Sequence, residues 1–162
     1  MTELYSYFRE SIPPACCVKR CSKEGCKVDM REAPSPSILI DMDCGLLEID
    51  KRSNLCDFLF VSRGAGGRPG WVAALELKGR PESSKIIAQL QAGAQFASRI
   101  LSRDADILFR PIAFYGGRMH REELTRLRSA SVRFRHPKTG TVLKERVVLR
   151  RCGSRLEEAL RA

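Results

Sequence analysis

The fold is decided by two stretches that read Asn54-Leu55-Cys56-Asp57-Phe58-Leu59-Phe60-Val61 and Trp71-Val72-Ala73-Ala74-Leu75-Glu76-Leu77-Lys78-Gly79. Both are apolar and rich in aromatic and branched residues, which favours β-strands. The segment between them is Gly64-Ala65-Gly66-Gly67-Arg68-Pro69-Gly70, a composition that favours a reversal of the chain. We therefore predict an antiparallel hairpin with strands over residues 56–63 and 71–79.

Three charged residues stand at the ends of these predicted strands. Asp57 opens the first strand, while Glu76 and Lys78 close the second and, being two apart, leave the same face. The start of one antiparallel strand lies beside the end of its partner, so Asp57 should converge on Glu76 and Lys78. Charge among apolar neighbours is costly unless it is paired. Two carboxylates and a lysine in one pocket could hold Mg²⁺ and position a water against a phosphate.

This arrangement resembles the PD-(D/E)xK phosphodiesterase superfamily, which includes many restriction endonucleases, Holliday-junction resolvases and RecB-type nuclease domains. The resemblance covers about residues 38–115, with Asp57 and Glu76 at the metal-binding acids and Lys78 at the motif lysine. Cys56 stands where the name of the motif has proline. The resemblance implies a restriction-endonuclease-like α/β fold, with a mixed sheet flanked by helices. It also implies a Mg²⁺- or Mn²⁺-dependent endonuclease or exonuclease, with the Leu77 carbonyl as a further metal ligand.

Accessory residues of such a site are expected on neighbouring elements. Many members of the superfamily add a third acid, for which Glu10, Asp41 and Asp43 are candidates; Asp43 is preferred because it ends a predicted strand beside Asp57. Lys85 and Gln89 are four apart on a predicted helix and therefore share one side of it. From there a side chain could reach a bound phosphate, although an ordinary polar helix edge would have the same pattern.

The remaining chain predicts an alternation of strands and helices. Apolar residues from Ile86 to Leu101 recur with a helical period, which predicts a long helix over 82–103 capped by Ser83 or Ser84. This order is that of a mixed α/β domain. The other predicted elements are helices at 3–10, 120–129 and 154–160, strands at 38–43 and 108–115, and a hairpin of 131–135 with 142–149.

Charge points to a polyanionic partner. The chain of 162 residues has a formal net charge of +10, and residues 118–162 carry 13 Lys and Arg against 5 Asp and Glu. We expect nucleic acid to bind this part, with DNA as the first choice. A chain this short could need a homodimer or a larger complex to select its site. The predicted phosphate-binding residues are Arg133, Arg135, Arg146 and Arg150 on the C-terminal hairpin.

Seven cysteines occur in a chain with no visible export signal or membrane-spanning run, so we predict a cytoplasmic protein with mostly reduced thiols. We divide the chain into a cysteine-rich extension, 1–37, and a nuclease-like domain, 38–162. The alternative for the extension is a Zn²⁺ site formed by Cys16, Cys17, Cys21 and Cys26.

Two other functions remain open from the sequence. The first is a non-catalytic module that keeps the nuclease fold and binds nucleic acid through its basic C-terminal part. The second is an adaptor whose cysteine-rich segment is stabilised by metal and recognises a protein.

Overall fold

The hairpin predicted from the two apolar stretches forms the centre of the fold. A computed structural model describes residues 6–48, 54–79 and 82–162. In it, strand β5 (Phe58–Ser62) pairs antiparallel with strand β6 (Gly70–Lys78). Every residue of β5 and most of β6 are buried, which explains their continuous apolar sequence. Gly70 is required at the reversal, because a side chain there would collide with the Ser62 carbonyl oxygen.

This hairpin lies inside a six-stranded mixed sheet. In spatial order the strands are β1 (Cys17–Val18), β4 (Ser37–Asp41), β5, β6, β7 (Ile107–Tyr115) and β10 (Val148–Arg151). The first four are antiparallel neighbours, whereas β6, β7 and β10 run parallel to one another. The predicted mixed α/β class is therefore confirmed.

Helix α1 (Ser83–Ile100) connects β6 to its parallel neighbour β7 and covers one face of the sheet. Its predicted apolar face, which includes Ile86, Leu90 and Ala94, is fully buried. The helix ends at Ile100, earlier than predicted. Its first turn is capped from outside the helix, because the Ser83 N–H donates to Glu123 Oε2 at 2.6 Å. The tertiary contact replaces the local serine cap that the sequence predicted.

The C-terminal part corrects one predicted strand. Helix α2 (Arg121–Ser129) is followed by a separate two-stranded sheet of β8 (Ser131–Arg135) and β9 (Val142–Arg146). The predicted strand 142–149 is interrupted at Val147, whose side chain is buried and whose N–H donates to the Ala130 carbonyl at 3.0 Å. The chain then continues as β10 along β7. Helix α3 is short, Leu156–Leu160, and no helix within the described ranges is long and apolar enough to cross a membrane.

The described part of the cysteine-rich segment is built onto this core. Of the helix predicted at 3–10, residues 3–5 lie outside the described residues, and residues 6–10 form turns and bends around an isolated bridge from Phe8 to Leu101. A 3₁₀ turn, Pro14–Cys16, leads into β1, and a small hairpin follows with strands β2 (Ser22–Lys23) and β3 (Cys26–Lys27). Because β1 is a strand of the main sheet, the segment and the core form one compact unit. The boundary at residue 37 remains a prediction.

Two disulfides overturn the prediction of mostly reduced thiols. Cys16 bonds to Cys44 and Cys26 to Cys152, with Cα–Cα distances of 5.4 and 5.2 Å. Spacing along the chain did not reveal these pairs, since the partners lie 28 and 126 residues apart. Zinc ligation needs thiolates, and Cys16 and Cys26 are already bonded, so the predicted set of four with Cys17 and Cys21 is not formed.

Candidate functional site

A pocket of about 490 Å³ opens where β6 ends and β5 begins. Polar side chains from five separate parts of the chain reach it, which makes it the place where the predicted site residues meet. The residues that matter for its chemistry are Lys23, Asp43, Asp57, Leu77, Lys78 and Gln89.

Asp57 stands one residue before β5 and is almost completely buried, with 5% of its surface exposed. Its Oδ2 accepts a hydrogen bond from the Leu77 N–H at 2.8 Å, across the hairpin. The register that pairs Phe58 with Leu75 brings Asp57 beside Glu76. This bond to the backbone fixes the carboxylate at the floor of the pocket.

Glu76 is fully buried beneath the pocket. Its Oε1 lies 3.2 Å from Lys78 Nζ, whereas its Oε2 has no hydrogen-bond partner among the described residues. Burial, followed by the charge and hydrogen bond of Asp57, raises the pKa of Glu76 to about 8, against a weaker lowering by Lys78. A buried carboxylate oxygen without a partner is costly, so this position favours a cation that can reach it.

Lys78 and Gln89 hold Glu76 from two sides. The Lys78 side chain remains a quarter exposed, so its ammonium can contact both Glu76 and a molecule in the pocket. Gln89 comes from α1 and is nearly buried. With its amide nitrogen turned towards the acid, Gln89 donates to Glu76 Oε1 at 3.3 Å and to the Lys85 carbonyl at 3.2 Å. The structure therefore brings Asp57, Glu76 and Lys78 together, as the strand pattern predicted. Their catalytic roles remain a prediction.

Lys23 is the pocket residue that the sequence analysis missed. Its ammonium donates to Asp57 Oδ1 at 2.7 Å and also pairs with Asp43. Burial lowers the pKa of Lys23, but hydrogen bonds and charge from Asp43 and Asp57 outweigh it and raise the pKa above its ordinary value. The hairpin that presents Lys23 turns at Glu24 and Gly25, which have positive φ values of 50° and 78°. In the sequence only the glycine signals such a turn, because glutamate is not one of the residues that favour it.

The other candidates lie at different distances from this centre. Asp43 lines the pocket through its shared contact with Lys23, as the preference for it predicted, while Asp41 accepts from the Asp43 N–H at 3.0 Å. Glu10 lines a separate pocket with Phe96 and Ile100. Lys85 is well exposed, pairs with Glu82 at 3.3 Å and borders a neighbouring recess that also includes Lys78.

The donor atoms limit which metals the pocket could hold. No group of three or more His, Cys, Asp or Glu side chains is placed to hold an ion in the described ranges. Asp57 and Glu76 are two oxygen donors, and Mg²⁺ is commonly held by one or two carboxylates together with waters and substrate oxygens. Such an ion suits the nearby Leu77 backbone and Glu76 Oε2, for which residues 6–48, 54–79 and 82–162 supply no hydrogen-bond partner. The cysteine that lines the pocket, Cys44, is bonded to Cys16 and offers no thiolate to a soft metal.

The predicted basic residues divide into two sets. Arg133 and Arg135 on β8 and Arg146 on β9 share one exposed face, because the register places Arg133 opposite Lys144 and Ser131 opposite Arg146. Arg150 is wrongly predicted to be on this hairpin. It belongs to β10 in the main sheet, where its guanidinium donates to the Leu149 carbonyl. We call Arg133, Arg135, Lys144 and Arg146 the basic hairpin face.

Comparisons with protein-family models, with curated proteins and with solved structures find no match to this chain. Function is therefore inferred from the geometry of the pocket and from the charge around it.

Proposed function

We propose that this protein is a metal-dependent nuclease with a restriction-endonuclease-like fold that hydrolyses phosphodiester bonds in DNA. The observation that carries the proposal is Oε2 of the buried Glu76, which has no hydrogen-bond partner among the described residues and lies beside Asp57 under a pocket that two lysines line. A salt-bridged strand end without further role would have both carboxylate oxygens paired or in water. In Glu76, Oε2 is buried and has no partner within the part of the chain that the structure describes.

Each pocket residue has a role in this reaction. Asp57 and Glu76 would hold Mg²⁺ or Mn²⁺, which when bound polarises a phosphate oxygen and makes a coordinated water more acidic. Leu77 fixes Asp57 through its N–H, and Gln89 fixes Glu76. Lys78, whose ammonium contacts Glu76 and remains a quarter exposed, would also donate to the attacking water and to the phosphate oxygens. Its ammonium would stabilise the negative charge that develops there.

The choice of a nucleic acid as the substrate rests on charge. The basic hairpin face offers four exposed cationic side chains on one surface, and guanidinium groups match phosphate oxygens well. Such contacts hold a nucleic-acid backbone without reading its sequence. The geometry thus supports binding to the phosphate backbone.

A second candidate function is a non-catalytic nucleic-acid-binding module on the same fold. The observation that favours it is Lys23, whose ammonium already supplies a positive charge to Asp57 and Asp43. In a binding module this ion pair would be permanent, and no divalent cation would be required.

Cleavage assays separate the two candidates. We expect wild-type protein to cut DNA when Mg²⁺ is added and to stop when it is chelated. Lys78→Met and Glu76→Gln should each lower the rate by about a hundredfold or more, because each removes charge used at the reacting phosphate. Lys19→Met is the matched control, since Lys19 is exposed and outside the pocket.

The assay must also show that the variants are folded and still bind DNA. Circular dichroism and the affinity for DNA in the presence of chelator should be close to wild type. Binding of DNA by the wild type without any cleavage, across DNA substrates and divalent cations, would favour the binding module and contradict the nuclease.

A further inference from the structure

Lys23 places a cation of the protein's own between two acids of the candidate site. Its Nζ lies 2.7 Å from Asp57 Oδ1 and also pairs with Asp43, across sequence separations of 34 and 20 residues. Asp57 is buried, and Lys23 satisfies the one carboxylate oxygen that the Leu77 N–H does not. To make this contact, Lys23 gives up hydration and rotamer freedom that a lysine in solvent retains. We therefore regard the contact as specific.

We propose that Lys23 is an intramolecular competitor for the divalent cation, which must displace the Lys23 ammonium from Asp57 and Asp43 before it can bind. The inference rests on the proposed function and adds a regulation of the same site. Its consequence is that the pocket binds the divalent cation more weakly than its carboxylates would if Lys23 were absent.

The hairpin that carries Lys23 is held in place, so the ammonium is presented at a high effective concentration. Lys23 pairs with Cys26 across β2 and β3, and Cys26 is bonded to Cys152 next to the end of β10. Two backbone hydrogen bonds add to this anchor, from Gly153 N–H to the Lys27 carbonyl at 2.6 Å and from Asp29 N–H to the Ser154 carbonyl at 2.9 Å. The lysine is therefore positioned by a covalent and hydrogen-bonded frame.

The ammonium and a divalent cation cannot both occupy this position. Each is positive, and at a few ångströms their repulsion in a partly buried pocket is strong. Asp57 Oδ1 faces the pocket with Lys23 against it, so an ion that binds this oxygen must move the ammonium away. The Lys23 side chain is about one-third exposed, which gives the displaced ammonium a route to solvent.

The test measures binding of Mn²⁺ alone by titration calorimetry, with no nucleic acid present. Lys23→Met keeps much of the apolar stem and removes the ammonium, and we expect it to bind Mn²⁺ roughly tenfold more tightly than wild type. Lys23→Arg retains a cation and should stay close to wild type. Lys27→Met is the matched control, because Lys27 is an exposed lysine on the partner strand of the same hairpin.

Tighter binding that is specific to loss of the Lys23 charge would support the competition. Unchanged or weaker Mn²⁺ binding in Lys23→Met would overturn it, and Lys23→Gln repeats the test if the Met variant fails to fold. Glu76→Gln separates this result from the proposed function. Binding that depends on Glu76 but not on Lys23 would leave the nuclease proposal standing, whereas no Mn²⁺ binding in any folded variant would end both.

Discussion

At Gly93, α1 packs tightly against the sheet and against Cys56, the residue before the acid that opens β5. A β-carbon added to Gly93 would lie 2.5 Å from Cys56 Sγ and 3.2 Å from the Ala74 β-carbon. Cys56 precedes Asp57 and is buried, with its Sγ directed at the Phe58 carbonyl at 3.4 Å. The absence of a side chain on the helix thus allows the chain before β5 to hold Asp57 in the pocket.

We predict that Gly93→Ala lowers the free energy of unfolding by about 1–3 kcal/mol, because the added methyl group overpacks this contact. The result is opposite to helix propensity, which alone would favour alanine by about 1 kcal/mol. Urea unfolding followed by circular dichroism measures the difference.

Two further variants test the cause of this effect. Gly45→Ala is the control, because a β-carbon on Gly45 meets nothing within 4 Å. Cys56→Ala removes the atom that is hit, so Gly93→Ala should be less harmful in that background than in wild type. A more stable Gly93→Ala protein would show that the helix simply moves away from the sheet.

The sequence predicted residues whose neighbours are local or belong to one hairpin. Asp57, Glu76 and Lys78 could be placed together because strand alternation and a glycine-rich reversal determine which ends meet. Lys23 could not be placed, since its contact with Asp57 depends on how a separate hairpin packs against the sheet. Gln89 was placed on the correct side of its helix, but its contact with Glu76 also required the tertiary structure.

At the scale of elements, the chain after β8 shows where pattern alone misleads. A run from Val142 to Leu149 has the composition of one strand, yet it supplies strands to two sheets. The division follows from Val147, which is buried and bonds to the Ala130 backbone, so the strand cannot continue straight. After Val147 the chain pairs with β7 as strand β10. The alternation of apolar and polar residues does not show which neighbouring strand a segment will pair with.

Because β9 and β10 belong to different sheets, the role of the basic hairpin face in binding nucleic acid can be tested separately. Changing Arg133, Arg135 and Arg146 together to Gln should weaken the binding of DNA of any sequence by a similar factor. It should also make the dependence of log affinity on log salt shallower, by up to about 0.9 for each phosphate that is no longer neutralised. The measurement is DNA affinity by fluorescence anisotropy over a salt series, with metal chelated to prevent cleavage.

Arg150→Gln is the matched control for that experiment. It removes the same chemical group from β10, outside the basic hairpin face, and should leave the salt dependence closer to wild type. Equal effects of Arg150→Gln and of each single change on the hairpin would mean that only net charge matters. The hairpin would then have no particular role in binding.

At the scale of the whole molecule, two covalent links connect the cysteine-rich segment to the rest of the fold. Cys16–Cys44 ties the start of β1 to the turn after β4, and Cys26–Cys152 ties the β2–β3 hairpin to the end of β10. Closing a longer loop removes more conformational entropy from the unfolded chain. Their sequence separations of 28 and 126 residues therefore predict different contributions to the free energy of unfolding.

We predict that removing Cys26–Cys152 with paired Cys→Ala changes lowers the free energy of unfolding by about 5 kcal/mol, against about 3.5 kcal/mol for Cys16–Cys44. Cys17→Ala, which removes a free thiol, is the control. Urea unfolding under oxidising conditions gives the values, and a reductant should abolish the differences. A larger loss for the shorter loop would show that local packing outweighs chain entropy.

The Cys26–Cys152 bond also determines how the molecule would respond to tension applied at its two ends. Force entering at either terminus reaches this bond before it reaches the central strands, so the 126-residue span between the two cysteines bears no load. While it is intact, the bond would withhold roughly 420 Å of extended chain that the reduced protein could release. The strands from β4 to β10 would thus remain mechanically shielded for as long as that one bond is intact, whereas β1 and the β2 strand that carries Lys23 precede Cys26 and would bear the load.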